Sequence, residues 1–176
     1  MSRKVVALIA SHDTQNGLRA WAQRVGFDLS SSYGGERRDP DRFDFHVTLV
    51  SSANPVSMAE TQHVVAPVTL AAVGFDVLGV DRQVPALKIA PSETLATARA
   101  FFVGMYAIEP TFAEFKPHVS LSYAWDGTPA LAALALPDMP LVFDQLRVKS
   151  LDDLPEKSRR PLMLAKRAPG AHGLYR

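Results

Sequence analysis

The chain has 176 residues, a net charge of +1 and no cysteine, and 47% of its residues are hydrophobic. This composition suits one globular domain with a substantial core. The balanced charge does not favour binding of double-stranded nucleic acid, and the lack of Cys excludes disulfides, thiolate zinc sites and cysteine nucleophiles. No stretch is long enough for a signal peptide core or a membrane span, so we expect a soluble, cytoplasmic protein with no membrane partner.

The first elements along the chain are a strand and a helix. Residues 4–10 (KVVALIA) form an apolar run that predicts a buried strand. Apolar side chains then recur at helical spacing over residues 14–25. We expect Asp13 or Thr14 to be the N-cap of this helix and His12 to lie in the loop before it.

A long loop follows the first helix. Residues 28–42 are rich in Ser, Gly and Asp and have no apolar periodicity. Long loops are often functional, and Tyr33, Arg37 or Arg38 could contact an anionic, aromatic ligand from here. A solvated loop without a ligand is an equally good interpretation.

The middle of the chain predicts strands. A Val-rich segment, interrupted by Pro67 and Gly74, is predicted to form one bent strand or two strands at about 62–66 and 68–79. A further strand is predicted at 86–90, in which Lys88 faces away from its apolar neighbours and is a candidate for substrate contact.

A second helix and three short elements complete the pattern. Ser92 is a good N-cap for the helix, whose predicted buried face consists of Leu95, Ala98, Phe102 and Met105. We also expect a short helix from 128 to about 136 and strands at 141–150 and 161–166, the last two separated by a turn at 151–157. Strands and helices in this order predict the α+β class.

The most informative pattern is a tetrapeptide that occurs twice, as HVTL at 46–49 and HVSL within a predicted strand at 118–123. Residues i and i+2 of a strand share a face. His46 and Thr48 therefore lie on one face of the first strand, and His118 and Ser120 lie on one face of the second. One such pattern is weak evidence, but two copies with the same flanking residues favour a functional site.

The spacing of the two motifs indicates two similar halves. They are 72 residues apart, and each follows a predicted helix. We therefore expect residues 1–176 to form one domain of two pseudo-symmetric lobes that meet at the His46 and His118 strands. If those strands are neighbours, one cleft receives two imidazoles and two hydroxyls.

Two histidines with two hydroxyls suit acid–base catalysis of phosphoryl transfer. One imidazole can take a proton while the other gives one, and the hydroxyls of Thr48 and Ser120 can donate to the phosphoryl oxygens. A metal site is the chemical alternative, with Asp44 as a third ligand beside His46. The second motif has Lys116 at the equivalent position, which disfavours a metal, and no cofactor is predicted.

The paired motifs resemble those of the 2H phosphoesterase superfamily, and residues 86–126 are similar to its phage-encoded anti-CBASS branch. The resemblance implies a bilobal α+β fold of antiparallel sheet with outer helices. It also implies metal-independent cleavage of 3′–5′ bonds in small cyclic oligonucleotides, in the host cytoplasm if the protein is phage-encoded. His46 and His118 would be the catalytic pair, and Thr48 and Ser120 would hold the phosphate.

One residue departs from the pattern of that branch, and three aromatic residues are further candidates for substrate binding. Lys149 stands where the branch has an acidic residue that reads the base, which leaves the base preference open. Tyr33, Tyr123 and Trp125 are candidates for stacking on bases, because aromatic side chains commonly bind nucleobases in this way. Two alternatives remain: an RNA 2′,3′-cyclic phosphodiesterase of the same superfamily, and a non-catalytic protein that sequesters cyclic nucleotides.

Overall fold

A computed structural model describes residues 1–33, 35–79 and 84–151. The helices in this part of the chain are α1 (His12–Val25) and α2 (Glu93–Met105), and the strands are β1 (Lys4–Ala10), β2 (His46–Ser51), β3 (Thr61–Leu70), β4 (Ala72–Leu78), β5 (Val84–Ile89), β6 (His118–Ser120) and β7 (Leu141–Ser150). The predicted α+β class is confirmed. Neither helix has the length and apolar character needed to cross a membrane.

The seven strands form one antiparallel sheet in the order β3-β7-β1-β2-β6-β5-β4. Helix α1 connects β1 to β2, and helix α2 connects β5 to β6. The buried hydrophobic side chains of both helices, including Leu18 and Leu95, join those of the sheet in a single hydrophobic cluster. The two motif strands, β2 and β6, are neighbours in the interior of this sheet.

The β2–β6 contact centres on Val47, which lies directly opposite Val119. Leu8 of β1 is opposite Val47, and Leu87 of β5 is opposite Val119. Directly opposed residues share a face of a sheet, so these four side chains form an apolar row across four strands. Val47, Val119 and Leu87 have 0% of their surface exposed. The polar motif residues must therefore lie on the opposite face.

Three further contacts connect the helices to the sheet and to the chain around this row. Trp21 of α1 stacks on Phe75 of β4, with ring centroids 6.1 Å apart. Leu49 is skipped in the register between β1 and β2, so it is the extra residue of a β-bulge. Its carbonyl accepts a hydrogen bond of 2.9 Å from the Arg99 guanidinium of α2, and that guanidinium also lies over the ring of Phe115.

The start of the first helix differs from the prediction. The N-cap is Ser11, whose hydroxyl accepts from the backbone N–H of Thr14, so Asp13 and Thr14 are not the cap. His12 is the first helical residue rather than a loop residue. Ser11 is the better cap because the helix begins immediately after β1, without an intervening loop.

The break between β3 and β4 falls at residue 71 and not at Pro67. Pro67 lies in the irregular stretch between Val64 and Val68, where the register with β7 shifts. Because β3 is an edge strand and the ladder is interrupted there, the missing N–H of proline is tolerated. The next strand, predicted at 86–90, begins earlier, at Val84.

Two predicted elements near the second motif are shorter than expected. Strand β6 ends at Ser120 instead of residue 123, because the Ser122 hydroxyl turns to the carbonyl of Asp28. The predicted helix at 128–136 is only a 3₁₀ turn at Leu131–Ala133. A segment this short between prolines cannot easily nucleate an α-helix. The predicted strand at 161–166 and all but the first residue of the predicted turn at 151–157 lie outside the described residues.

The predicted buried face of α2 is wrong at its last residue, Met105. Leu95 is buried and both Ala98 and Phe102 pack on the core, but Met105 is 63% exposed. The chain reverses after the helix, and the N–H of Ile108 donates to the carbonyl of Val103. Ile108 thereby takes the core position, as in helix ends where an apolar residue folds back.

We predict that Arg99→Met will destabilise the fold by about 1–3 kcal/mol, because it leaves the partly buried Leu49 carbonyl without a donor. Urea denaturation of the purified variant measures this change. Arg24→Met, on the exposed end of α1, is the matched control and should cost less than about 0.5 kcal/mol. Equal losses in the two variants would contradict the role given to Arg99.

Candidate functional site

The four motif side chains lie together on the face of the sheet opposite the apolar row. Extending the Val47–Val119 register by one residue places His46 opposite Ser120 and Thr48 opposite His118. Opposed residues in an antiparallel pair have Cβ atoms about 4.5–5.5 Å apart. All four residues are partly exposed. The structure therefore brings the two imidazoles and two hydroxyls into one site.

Both imidazoles are oriented by the same backbone contact. His46 Nδ1 lies 2.8 Å from the carbonyl oxygen of Asp44, and His118 Nδ1 lies 2.7 Å from the carbonyl oxygen of Lys116. A carbonyl only accepts hydrogen bonds, so Nδ1 carries the proton in both rings. This leaves each Nε2 to accept or donate the exchangeable proton.

The segment that carries His46 is fixed by Gln15 of α1. The Gln15 side chain accepts from the backbone N–H of Phe45 at 3.0 Å and donates to the Phe45 carbonyl at 2.9 Å. It also donates to the carboxylate of Asp44 at 3.2 Å. Gln15 thus holds the backbone beside the Asp44 carbonyl that orients His46. Nothing in the sequence pattern marks this residue, because the contact joins separate elements.

The protonation of His118 is controlled by its burial and by neighbouring groups. Burial is the main cause that lowers the pKa of His118 below its usual 6.5, and the neighbouring His46 lowers it further. The hydrogen bond to the Lys116 carbonyl and the carboxylate of Asp76 act in the opposite direction. His118 is therefore predominantly neutral at pH 7, with a lone pair on Nε2.

Tyr123 borders the site and is hydrogen-bonded to the hydroxyl of Ser120. Burial raises the pKa of Tyr123, although a hydrogen bond with Ser120 opposes this, so the phenol stays protonated at neutral pH. Its ring packs edge-on against Tyr33, with centroids 5.7 Å apart, and also lies against Phe43. Tyr33 is 45% exposed at the outer side of this group. The structure thus brings Tyr33 and Tyr123 together beside the motif residues.

The other predicted binding residues lie in different positions. Lys88 is exposed and directly opposite His118. The indole N–H of Trp125 donates to the carbonyl of Pro129 at 3.1 Å, which gives this side chain a structural contact. Arg37 is exposed in the loop near Asp28, whose pKa is lowered mainly by hydrogen bonds from Ser30 and less by Arg37.

A cleft of about 560 Å³ lies beside His46, between the first half of α1, the loop at 38–44 and strand β7. Its lining includes Lys149 and Arg38, which the sequence offered as candidates for ligand contact. It also includes three arginines that sequence reasoning did not select, namely Arg19, Arg42 and Arg147. Arg147 forms a close ion pair with Asp44, two residues before His46. This pair links the cleft to the motif strand.

Asp44, the third ligand in the metal alternative, is occupied by other contacts. Its carboxylate pairs with Arg147 and accepts from Gln15. Within residues 1–33, 35–79 and 84–151, no group of three or more His, Asp or Glu side chains is arranged to hold a metal ion.

The chain was also compared with known proteins. No model of a known protein family matches it, and no curated protein is significantly similar to it.

We predict that a pH titration of the imidazole NMR signals will give His118 a pKa below 6.5, and that His46→Ala will raise this value because a neighbouring positive charge is removed. His63→Ala is the control, since His63 is exposed on the edge strand β3, and it should leave the His118 titration unchanged. An unchanged His118 pKa in His46→Ala would show that the two imidazoles are not coupled.

Proposed function

We propose that the protein is a phosphodiesterase of the 2H phosphoesterase type that cleaves 3′–5′ bonds of small cyclic oligonucleotides without a metal ion. The observation that carries this proposal is the arrangement of His46 and His118. They lie on adjacent strands and on one face, and each donates from Nδ1 to the carbonyl two residues before it. Two imidazoles with Nε2 available are the groups that acid–base catalysis requires.

The registers on either side of the motif strands support a bilobal, pseudo-symmetric arrangement. Residues 7–9 of β1 lie opposite Thr48, Val47 and His46, and residues 86–88 of β5 lie opposite Ser120, Val119 and His118. Each half is thus a strand, a helix and an antiparallel strand with the same alignment at its motif. The two edges of the sheet are less symmetric. Strands β7 and β3 lie beyond β1 on one side, whereas β4 alone lies beyond β5 on the other.

His118 is the better candidate for the general base. Its pKa is lowered, chiefly by burial, so the ring is neutral at pH 7 and can accept a proton from a ribose 2′-hydroxyl or a water. In the same reaction, His46 in its protonated form would give a proton from Nε2 to the departing 5′-oxygen. Each of these transfers is expected to contribute about 10²–10⁴-fold in rate.

The hydroxyls of the site and the ammonium group of Lys88 can stabilise the negative charge that develops on the phosphoryl group. Thr48 and Ser120 lie beside the opposite imidazoles and can donate to the phosphoryl oxygens. Tyr123 is hydrogen-bonded to Ser120 and would orient its hydroxyl. Lys88, directly opposite His118 and exposed, can attract the anionic substrate.

The exposed ring of Tyr33 offers an apolar face for a nucleobase. It packs on Tyr123 next to the motif hydroxyls and remains 45% exposed, and stacking on an aromatic ring accepts any base. Trp125 is a weaker candidate because its indole is bound to Pro129. We propose the cytoplasm as the place of action, and the host cytoplasm if the protein is phage-encoded like the branch that the motifs resemble.

We predict that the purified protein will hydrolyse cyclic di- or trinucleotides in EDTA, and that His46→Ala and His118→Ala will each lower kcat by at least about 10²-fold, because each removes one proton transfer. The assay is chromatographic detection of linear products. His63→Ala, which changes an imidazole outside the site, should retain the full rate.

Other results of this assay would favour other functions. Preferential opening of a 2′,3′-cyclic-phosphate-ended RNA would favour the RNA-end enzyme. Tight binding of cyclic nucleotides without turnover would favour a sequestering protein. Activity that requires added metal would disprove the two-histidine mechanism.

We predict that kcat/KM will stay high as the pH falls through 6.5 and will decline only at a lower pH, because the base acts in its neutral form and the pKa of His118 is lowered. A pH–rate profile checks this. Ser120→Ala should lower the rate but keep the same acidic limb, whereas the residual activity of His118→Ala should lack it. An acidic limb that survives in His118→Ala would assign the base to another group.

A further inference from the structure

The cleft beside His46 has no part in the proton transfers proposed above. It is about 560 Å³ in volume and opens between α1, the loop at 38–44 and β7. It shares Asp44 and Arg147 with the surroundings of His46, because the Asp44–Arg147 ion pair lies between the two. A ligand bound at the histidines could therefore extend into it.

Positive charge is concentrated in this cleft. Five cationic residues line it, against the two carboxylates of Asp41 and Asp44. The whole chain has a net charge of only +1, so the cleft is more positive than the rest of the protein. A concave surface lined by one sign of charge focuses the potential and attracts ligands of the opposite sign.

The cations of the cleft divide into two groups. Arg19 donates to the backbone carbonyls of Asp41 and Phe43, and Arg147 pairs with Asp44, so these two arginines build the wall. By contrast, Arg42 and Lys149 are exposed.

The side chains of Arg42 and Lys149 make no hydrogen bond or ion pair to another residue in the part of the chain that the structure describes. Arg38 has only an exposed contact with Glu36 at 3.4 Å, and such surface pairs contribute little. These three cations are available to a ligand.

The strand register gives the distance between the cleft and the histidine site. Arg147 of β7 lies opposite Ala7 of β1, and Ala7 lies opposite Thr48 of β2, so all three share the face of the site. Neighbouring strands are about 4.8 Å apart. The backbone of Arg147 is therefore about 10 Å from that of Thr48, with only the small side chain of Ala7 between them in this row.

We propose that this cleft binds a second phosphate group of the molecule whose first phosphate lies between His46 and His118. The inference rests on the proposed function and deepens it, because it assigns a place in the fold to the second phosphate of the cyclic oligonucleotide. Arg42 and Lys149 supply the charge that recognises the second phosphate. A ligand with a single phosphate occupies the histidine site alone and gains nothing from the cleft.

Isothermal titration calorimetry with a His118→Ala background, in which turnover is suppressed, tests this inference. The probes are 3′,5′-cyclic AMP with one phosphate and cyclic di-AMP with two. We expect Arg42→Gln combined with Lys149→Gln to weaken cyclic di-AMP binding about tenfold or more, since two charge-assisted contacts are lost. Binding of cyclic AMP should change less than about twofold. Arg24→Gln, which removes one positive charge on the exposed end of α1 away from the cleft, is the control and should leave the binding of both nucleotides unchanged.

A third probe, inorganic tripolyphosphate, separates the cleft from the proposed reaction. Its binding to the wild-type protein should weaken with added salt and should depend on Arg42 and Lys149 but not on His118. If every nucleotide assay fails and this dependence holds, the proposed function is wrong and the anion site stands. If tripolyphosphate does not bind, or if the double variant weakens one- and two-phosphate ligands equally, the inference is overturned.

Discussion

The contact between Val47 and Val119 joins the two halves of the sheet, and the geometry of the site depends on it. Strand β6 is only three residues long, so its ladder alone cannot fix the alignment. The buried row that runs from Leu8 through the two valines to Leu87 supplies the apolar burial that does so. Because side chains alternate across a strand, burial of this row commits each histidine and each motif hydroxyl to the open face.

On the open face, burial changes the pKa of both His118 and Tyr123. Each imidazole donates to the carbonyl two residues before it, and the pKa of His118 is lowered by burial and by His46. The phenol of Tyr123 stays protonated beside Ser120. Next to His46, the hydrogen bonds of Gln15 hold the backbone at the start of β2. Gln15 and the Asp44–Arg147 ion pair also line a cationic cleft. The net charge of +1 does not reveal this cationic cleft, because it sums positive and negative side chains over the whole chain.

Sequence reasoning succeeded where hydrophobic periodicity was strong and failed where a tertiary contact ended or redirected an element. The limits of β1 and β7 were predicted correctly. The predicted helix at 128–136 was wrong because a short apolar segment between prolines cannot form several turns. The inward placement of Met105 was also wrong, since the chain folds back and Ile108 fills the core. Gln15 and Arg42 left no signal, because their importance arises only from residues distant in sequence.

The sequence by itself determined which side chains share a face. The alternation in residues 46–49 and 118–121 separates imidazole and hydroxyl from valine and leucine, whatever the strands pair with. Only the tertiary structure decided that the two strands are adjacent, that His46 lies opposite Ser120, and that Lys88 lies opposite His118. It alone also assembled the cleft from α1, the loop at 38–44 and β7. The physical reason is that strand alternation is a local property of the backbone, whereas register and strand order follow from burying one continuous apolar face.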